Sequence, residues 1–221
     1  SMDEFSVQAI EVVSGGGKVV QFFGFQVDGS VRLMAVLRTD ALLVASCDAP
    51  EVYPCLTAQA EPFHMFEREI AEQYGIRPEG HPWLKMVRYH PNCRNVDDVF
   101  GNDYSEDIPG RYDYYSVAGD EIHEVAVGPV HAGVIEPGHF RFNCIGERVL
   151  NLEIQLGYQH RGVEDLLLQV DRKRLPFIAE NIAGDTSVGH SLCHAQAMEA
   201  FAGIPIDDGA KIIRTIGLEL E

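Results

Sequence analysis

Val19–Arg38 reads VVQFFGFQVDGSVRLMAVLR, two apolar runs around Asp28-Gly29-Ser30. Val, Phe and Leu suit a pleated, half-buried surface, and Asp-Gly between two such runs is a hairpin signal. Val19–Val27 is therefore expected as one strand and Val31–Arg38 as its return. Ala41–Ser46 adds a third strand. Such a sheet needs a cover, and Pro62–Tyr74 supplies a helix, with Pro62 in its first turn and Gly75 just past its end. Phe63, Phe66, Ile70 and Tyr74 lie on one stripe of that helix.

Further along, Pro91–Asp120 is rich in Asp, Asn, Gly and Tyr and shows little periodicity, so it reads as an extended linker. Phe140–Ile145 and Val149–Leu156 read as a hairpin around Gly146-Glu147. Helices are expected at Val163–Val170 and at about Ser187–Ala202, the latter ended by Gly203 and Pro205. Asp207 or Asp208 caps a last helix with Ile212, Ile213, Ile216 and Leu220 on one face. That stripe runs to Glu221 and reads as a helix cut off within a longer chain. The expected class is α+β: a small antiparallel sheet with a covering helix, then a β-hairpin leading into a truncated helical bundle. The domain division is placed near residue 115, giving domains 1–115 and 116–221.

The chain has 221 residues, with 17 basic against 34 acidic side chains and a net charge of -17. A surface of that sign repels phosphate backbones and anionic lipid headgroups, so nucleic acid is not an expected partner. No window reaches the ~18 uninterrupted apolar residues of a bilayer span, so any membrane association runs through other proteins. The N-terminus lacks the basic-then-apolar order of a secretory signal, and Ser1-Met2 reads as a cloning remnant. The five cysteines are odd in number and no pair has CxxC spacing, which fits a reducing compartment.

Three groups of residues could carry chemistry. His190, Cys193 and His194, at i, i+3 and i+4, share a helical face within reach of one ion, or simply pack there. His131, Glu136 and His139 lie in a Gly/Pro-rich loop; a Glu beside imidazoles can relay protons, and the alternative is a solvated turn. His160 and Arg161 enter a helix, where they could place positive charge beside an electron-rich group or form a plain surface pair.

At this point the motifs carry a family resemblance. YPCLTAQAEPFHMFEREIAEQYGIRPEGHPWLKMVRYHP (53–91) resembles the C-terminal signature of the thirty-kilodalton subunit of respiratory complex I. GPVHAGVIEPGHFRFNCIGERVLNLEIQLGYQHRGVEDLL (128–167) resembles the start of its forty-nine-kilodalton subunit. It is closer still to the large subunit of membrane-bound nickel-iron hydrogenases such as formate hydrogenlyase. The two parts in this order resemble the fused large subunit of that branch, from about residue 53 to the end.

In the hydrogenases an ERVCGIC-like segment before Gly-x-x-His supplies two nickel-iron ligands. Aligned on Gly189-His190-Ser191, the two cysteine slots hold Ala183 and Thr186. Neither a methyl nor a lone hydroxyl replaces a thiolate, so a nickel-iron centre and hydrogen turnover are not expected. The resemblance also implies that the complex I quinone-site Tyr falls near Gly184 and is absent. It implies that His160 and Arg161 face the iron-sulfur cluster of a partner small subunit, and that Glu136, with His131 and His139 nearby, lies at the entry to a proton path.

The expected function is that of a cytoplasmic, peripheral-arm subunit of a membrane-bound complex I-like or hydrogenase-related redox complex. It would couple electron transfer to proton or ion movement and bind no cofactor of its own. The alternatives are an active hydrogenase, formate hydrogenlyase or quinone-reductase subunit, and an assembly module with no redox role.

Overall fold

A computed structural model describes residues 1–94, 99–101 and 112–221; within the linker read at Pro91–Asp120, residues 95–98 and 102–111 lie outside the described residues. The chain forms two compact units, Ser1–Gln159 and His160–Glu221.

The first unit is built on an antiparallel sheet of β1 (Lys18–Val27), β2 (Ser30–Arg38) and β3 (Leu42–Asp48). The hairpin turn falls at Asp28-Gly29, both at positive φ (48° and 81°), the twist that a two-residue loop requires. Val31, Leu33, Ala35 and Leu37 alternate inward along β2, as a period-two pattern dictates. They meet Phe5, Phe22, Phe63 and Ile70 in one core, with Phe22 edge-on to Phe63 at 5.5 Å.

Two helices contribute to that core. α1 (Met2–Ser14) adds a helix beyond the expected elements; Ser1 and Glu4 close a capping box, and Phe5 and Ala9 are its buried residues. α2 (His64–Tyr74) follows a 3-10 turn at Glu61–Phe63 and ends at Gly75 in the left-handed region. On either side of α2 in the chain, β4 (Val52–Pro54) and β5 (Arg77–Glu79) pair in parallel.

A second sheet of the same unit has the order β6 (Ile122–Val127), β7 (His139–Ile145), β8 (Arg148–Gln155). Its register gives it unusual sides. His139, Arg141 and Asn143 sit opposite Gln155, Glu153 and Asn151 on one face, and most of these are buried. Phe140 and Phe142 sit opposite Ile154 and Leu152 on the other, beside Val127 and Val125, and none of the six is buried. The buried polar face is bound by residues 112–115, although Arg141 Nε, Asn143 Oδ1 and Asn151 Nδ2 have no hydrogen-bond partner among the described residues. Tyr115 N–H and the Tyr112 hydroxyl donate to Glu153, Tyr114 to Gln155, and Asn143 Nδ2 to the Tyr115 carbonyl at 3.1 Å. Lys85 Nζ completes the set, 3.0 Å from Glu153 and 4.3 Å over the Tyr112 ring. This part of the expected linker is thus bound to a sheet.

The second unit holds α3 (Val163–Gln169), α4 (Leu175–Glu180), α5 (Ser187–Ala202) and α6 (Asp208–Leu220). Asp207 caps α6 by accepting from Ala210 N–H at 2.9 Å. A two-pronged Arg214–Glu199 pair (2.9 and 2.5 Å) ties α6 to α5. Ala179 is the buried residue of these helices, while Leu168, Phe177, Phe201, Ile213 and Leu220 are exposed. The architecture is mixed α and β with small antiparallel sheets and six α-helices among the described residues.

Candidate functional site

α2 carries an internal clamp that its apolar stripe did not announce. Glu67 and Glu72 are fully buried beside Ile70. Glu67 accepts from Leu56 N–H (2.8 Å), Thr57 N–H (2.9 Å) and the Thr57 hydroxyl (2.5 Å). Glu72 accepts from the N–H groups of Val87 (2.8 Å), Arg88 (2.9 Å) and Tyr89 (2.6 Å). One turn earlier, Arg68 donates to the carbonyls of Lys85 (2.7 Å) and Met86 (3.0 Å). The loop over 85–89 is thus held by its carbonyls and its amides at once.

Two histidines beside this clamp are held neutral. His81 Nδ1 accepts from Trp83 N–H (3.1 Å) while its Nε2 donates to the His64 carbonyl (3.2 Å). His64 Nε2 lies 3.3 Å from Arg68 Nη1 and accepts from it. Burial lowers both imidazoles below the ordinary value of 6.5; for His64 the neighbouring His81 and Arg68 add to it. Their folded-state values lie below the unfolded one, so the unfolded chain binds more protons in that range. Their contribution to stability is complete above about pH 6.5 and is lost as pH falls through the folded values. Urea unfolding should accordingly show a lower midpoint at about pH 5.5 than at about pH 7.5. A His64→Gln/His81→Gln double variant should flatten that slope, and an unchanged slope would refute the assignment.

The loop between β6 and β7 holds His131 and Glu136, and His139 opens β7. His131 Nε2 donates to the Gly138 carbonyl (2.7 Å) and its ring lies edge-on to Phe140. His139 is buried, and its Nδ1 donates to the Gly128 carbonyl (3.2 Å). Gly138 N–H returns to the Pro129 carbonyl (3.1 Å). Each imidazole thus spends one nitrogen on closing the loop. Glu136 is half-buried and makes no hydrogen bond among the described residues, so the three do not form a bonded chain. At Gly128, φ is +84° and an added Cβ would lie 2.1 Å from the Gly138 oxygen and 2.5 Å from His131 Nε2.

In the second unit the two remaining motifs come together. Arg161 Nη2 donates to the carbonyls of Asn181 (2.8 Å) and Ile182 (2.9 Å), immediately before Ala183. Ala183 opens a 3-10 turn over Gly184–Thr186, and Thr186 precedes α5. The Thr186 hydroxyl lies 2.8 Å from His190 Nδ1, which also reaches the Thr186 carbonyl at 2.8 Å. The Glu221 carboxylate accepts from Val188 N–H (2.6 Å) and Gly189 N–H (3.0 Å) at the start of α5, where the helix dipole favours a negative charge. The slot segment is therefore closed by its own hydrogen bonds, with Arg161 as the outer latch. His160 is exposed at its side. Arg161→Ala removes two bonds to exposed carbonyls, worth about 1 kcal/mol. Amide exchange in 183–190 should then accelerate about fivefold, while exchange in α6 beyond its contact with α5 stays unchanged.

Among the described residues no group of three His, Cys, Asp or Glu side chains could hold a metal ion, so His190, Cys193 and His194 do not form a ligand set despite their spacing. No helix among them is long and apolar enough to cross a membrane.

No family model matches the chain. Curated proteins do. It is 25% identical to hydrogenase-4 component G of Escherichia coli K12, over 93% of this chain and 38% of that protein. It is 27% identical to formate hydrogenlyase subunit 5 of the same organism, over 76% of this chain and 32% of that protein. A 98-residue match to the membrane-bound hydrogenase subunit alpha of Pyrococcus furiosus is 35% identical, covering 44% of this chain and 23% of that protein. The C/D subunits of NADH-quinone oxidoreductases are further relatives. The chain spans about a third of the length of the first two relatives.

Proposed function

Because this chain is homologous to hydrogenase-4 component G, formate hydrogenlyase subunit 5 and the C/D subunits of NADH-quinone oxidoreductases, we propose that it serves as a peripheral subunit of a membrane-associated complex of that kind. Its partners are an iron-sulfur small subunit of the same complex and, through other proteins, the membrane subunits. It carries no membrane-crossing helix among its described residues, in keeping with a peripheral place.

The chain does not hold a nickel-iron centre, and the donor set supports this reading most directly. A soft metal centre of the hydrogenase type takes thiolates. The aligned slots offer the Ala183 methyl and a Thr186 hydroxyl already engaged by His190. Cys193 lies on α5 almost two turns beyond Thr186 and does not replace them. No step of the function is therefore routed through such a centre.

In this reading His160 and Arg161 face the iron-sulfur cluster of the partner subunit, and the neighbouring electron transfer is coupled to proton or ion movement. Arg161 contributes by holding the turn at 181–186 as well as by its charge. On the proton side, Glu136 takes up and releases a proton. His131 Nδ1 and His139 Nε2, the nitrogens left uncommitted by the loop's own hydrogen bonds, act as acceptors. Glu136→Gln in the intact assembly tests this. Electron throughput should fall by about tenfold or more with all subunits still co-purifying. Full throughput would overturn the relay, and loss of assembly alone would favour a purely structural role.

A further inference from the structure

We propose that the outer edge of β8 is a docking strand for an extended segment of a partner polypeptide, apolar at alternate positions and carrying a Lys or Arg opposite Glu61. β8 is an edge strand, paired on one side with β7. Among the described residues nothing hydrogen-bonds to the backbone of its other side. Such an edge is a template for strand addition unless it is covered.

Here the edge opens on a groove of about 690 Å³. Leu152, Glu153 and Ile154 line it consecutively. Successive side chains of a strand point to opposite faces, so a groove that touches three in a row runs along the strand's edge. The far wall is the stripe Glu61, Met65 and Arg68, at i, i+4 and i+7 of the α2 entry. Leu152 and Ile154, 46% and 45% exposed, give the groove its apolar floor.

Two polar side chains of the lining are spoken for. Arg68 is bound to two carbonyls and to His64. Glu153 is bound to Lys85, Tyr112 and Tyr115. What remains is the unpaired backbone of β8, the Trp83 indole N–H, His64 Nδ1 and the Glu61 carboxylate, which has no hydrogen-bond or ion-pair partner among the described residues. Main-chain hydrogen bonds with alternating apolar pockets are the recognition mode of an added strand. The free carboxylate, on a chain of net charge -17, selects a basic residue beside it. The residues from Glu61 to Arg68 wall the groove on the side facing β8, so the occupant proposed is a lone segment.

The probe is a fluorescein-labelled nine-residue peptide of alternating valine and threonine with lysine at both ends, titrated by anisotropy into the full 221-residue chain. Saturable binding is expected, with amide-exchange protection confined to β8 and the residues that follow it. Glu61→Lys should weaken the lysine-ended peptide about three- to fivefold and tighten a glutamate-ended one. A peptide interrupted by proline at alternate positions, which lacks the amide donors, should not bind. No saturable binding, equal binding of the proline peptide, or protection outside β8 would overturn the proposal. So would protection of the same amides that rises with protein concentration alone, which would assign the edge to a second copy.

Discussion

Glu72→Ala should destabilise the first unit far more than trimming an apolar residue of the same helix. The carboxylate is fully buried and receives the amides of Val87, Arg88 and Tyr89. Its removal strands three donors at a place where Arg68 still holds the carbonyls of Lys85 and Met86. A buried donor without a partner costs about 1–3 kcal/mol, so the variant should lose about 3 kcal/mol or more of a total that is typically about 5–15 kcal/mol. Urea unfolding of the full chain measures it. Ile70→Val, which trims the same helix by one methylene, should cost only about 1 kcal/mol. If the two variants lose equal stability, the clamp is not what holds the loop over 85–89.

Gly128→Ala should be nearly as damaging, for a different reason. A side chain at φ +84° is strained on its own account, at about 1–2 kcal/mol. The added methyl also meets the Gly138 carbonyl, which is backbone and cannot swing aside, and overpacking of this kind costs about 1–3 kcal/mol more. The loop should open, freeing His131 from Gly138 and exposing His139. Thermal unfolding of the variant, with histidine ring resonances followed by NMR, reads both effects. A second change, His131→Ala, relieves one of the two contacts and should restore only part of the loss. Wild-type stability in Gly128→Ala would show that the loop is not closed as described.

The elements with strong local signals are legible in the sequence. The Asp28-Gly29 turn, the alternating β2 residues, the Pro62–Tyr74 helix and the Asp207 cap all appear where propensity and pattern place them, within a residue or two. What escapes the sequence is tertiary. α1 is absent from the expected elements, although Ser1 and Glu4 form its cap. The polar burial of Glu67 and Glu72 contradicts the rule that carboxylates face water, and only the distant amides they serve explain it. Likewise β7 and β8 alternate as a half-buried sheet should, but the alternation cannot say that the polar side is the covered one. The docked Tyr112–Tyr115 segment makes that choice.

At the candidate site, spacing puts His131 and Glu136 in one loop with His139 at the start of the next strand, but the three are not hydrogen-bonded to one another. It gives no hint that Arg161 latches the turn before Ala183, since twenty residues separate them. It overvalues His190, Cys193 and His194: a shared helical face is not yet a ligand set, and His190 turns back onto Thr186.

Metal analysis of the full-length protein within its intact assembly tests the central claim most directly. With Ala183 and Thr186 in the thiolate positions, nickel should remain at background. One nickel per chain, seated beside those two residues, would contradict the account.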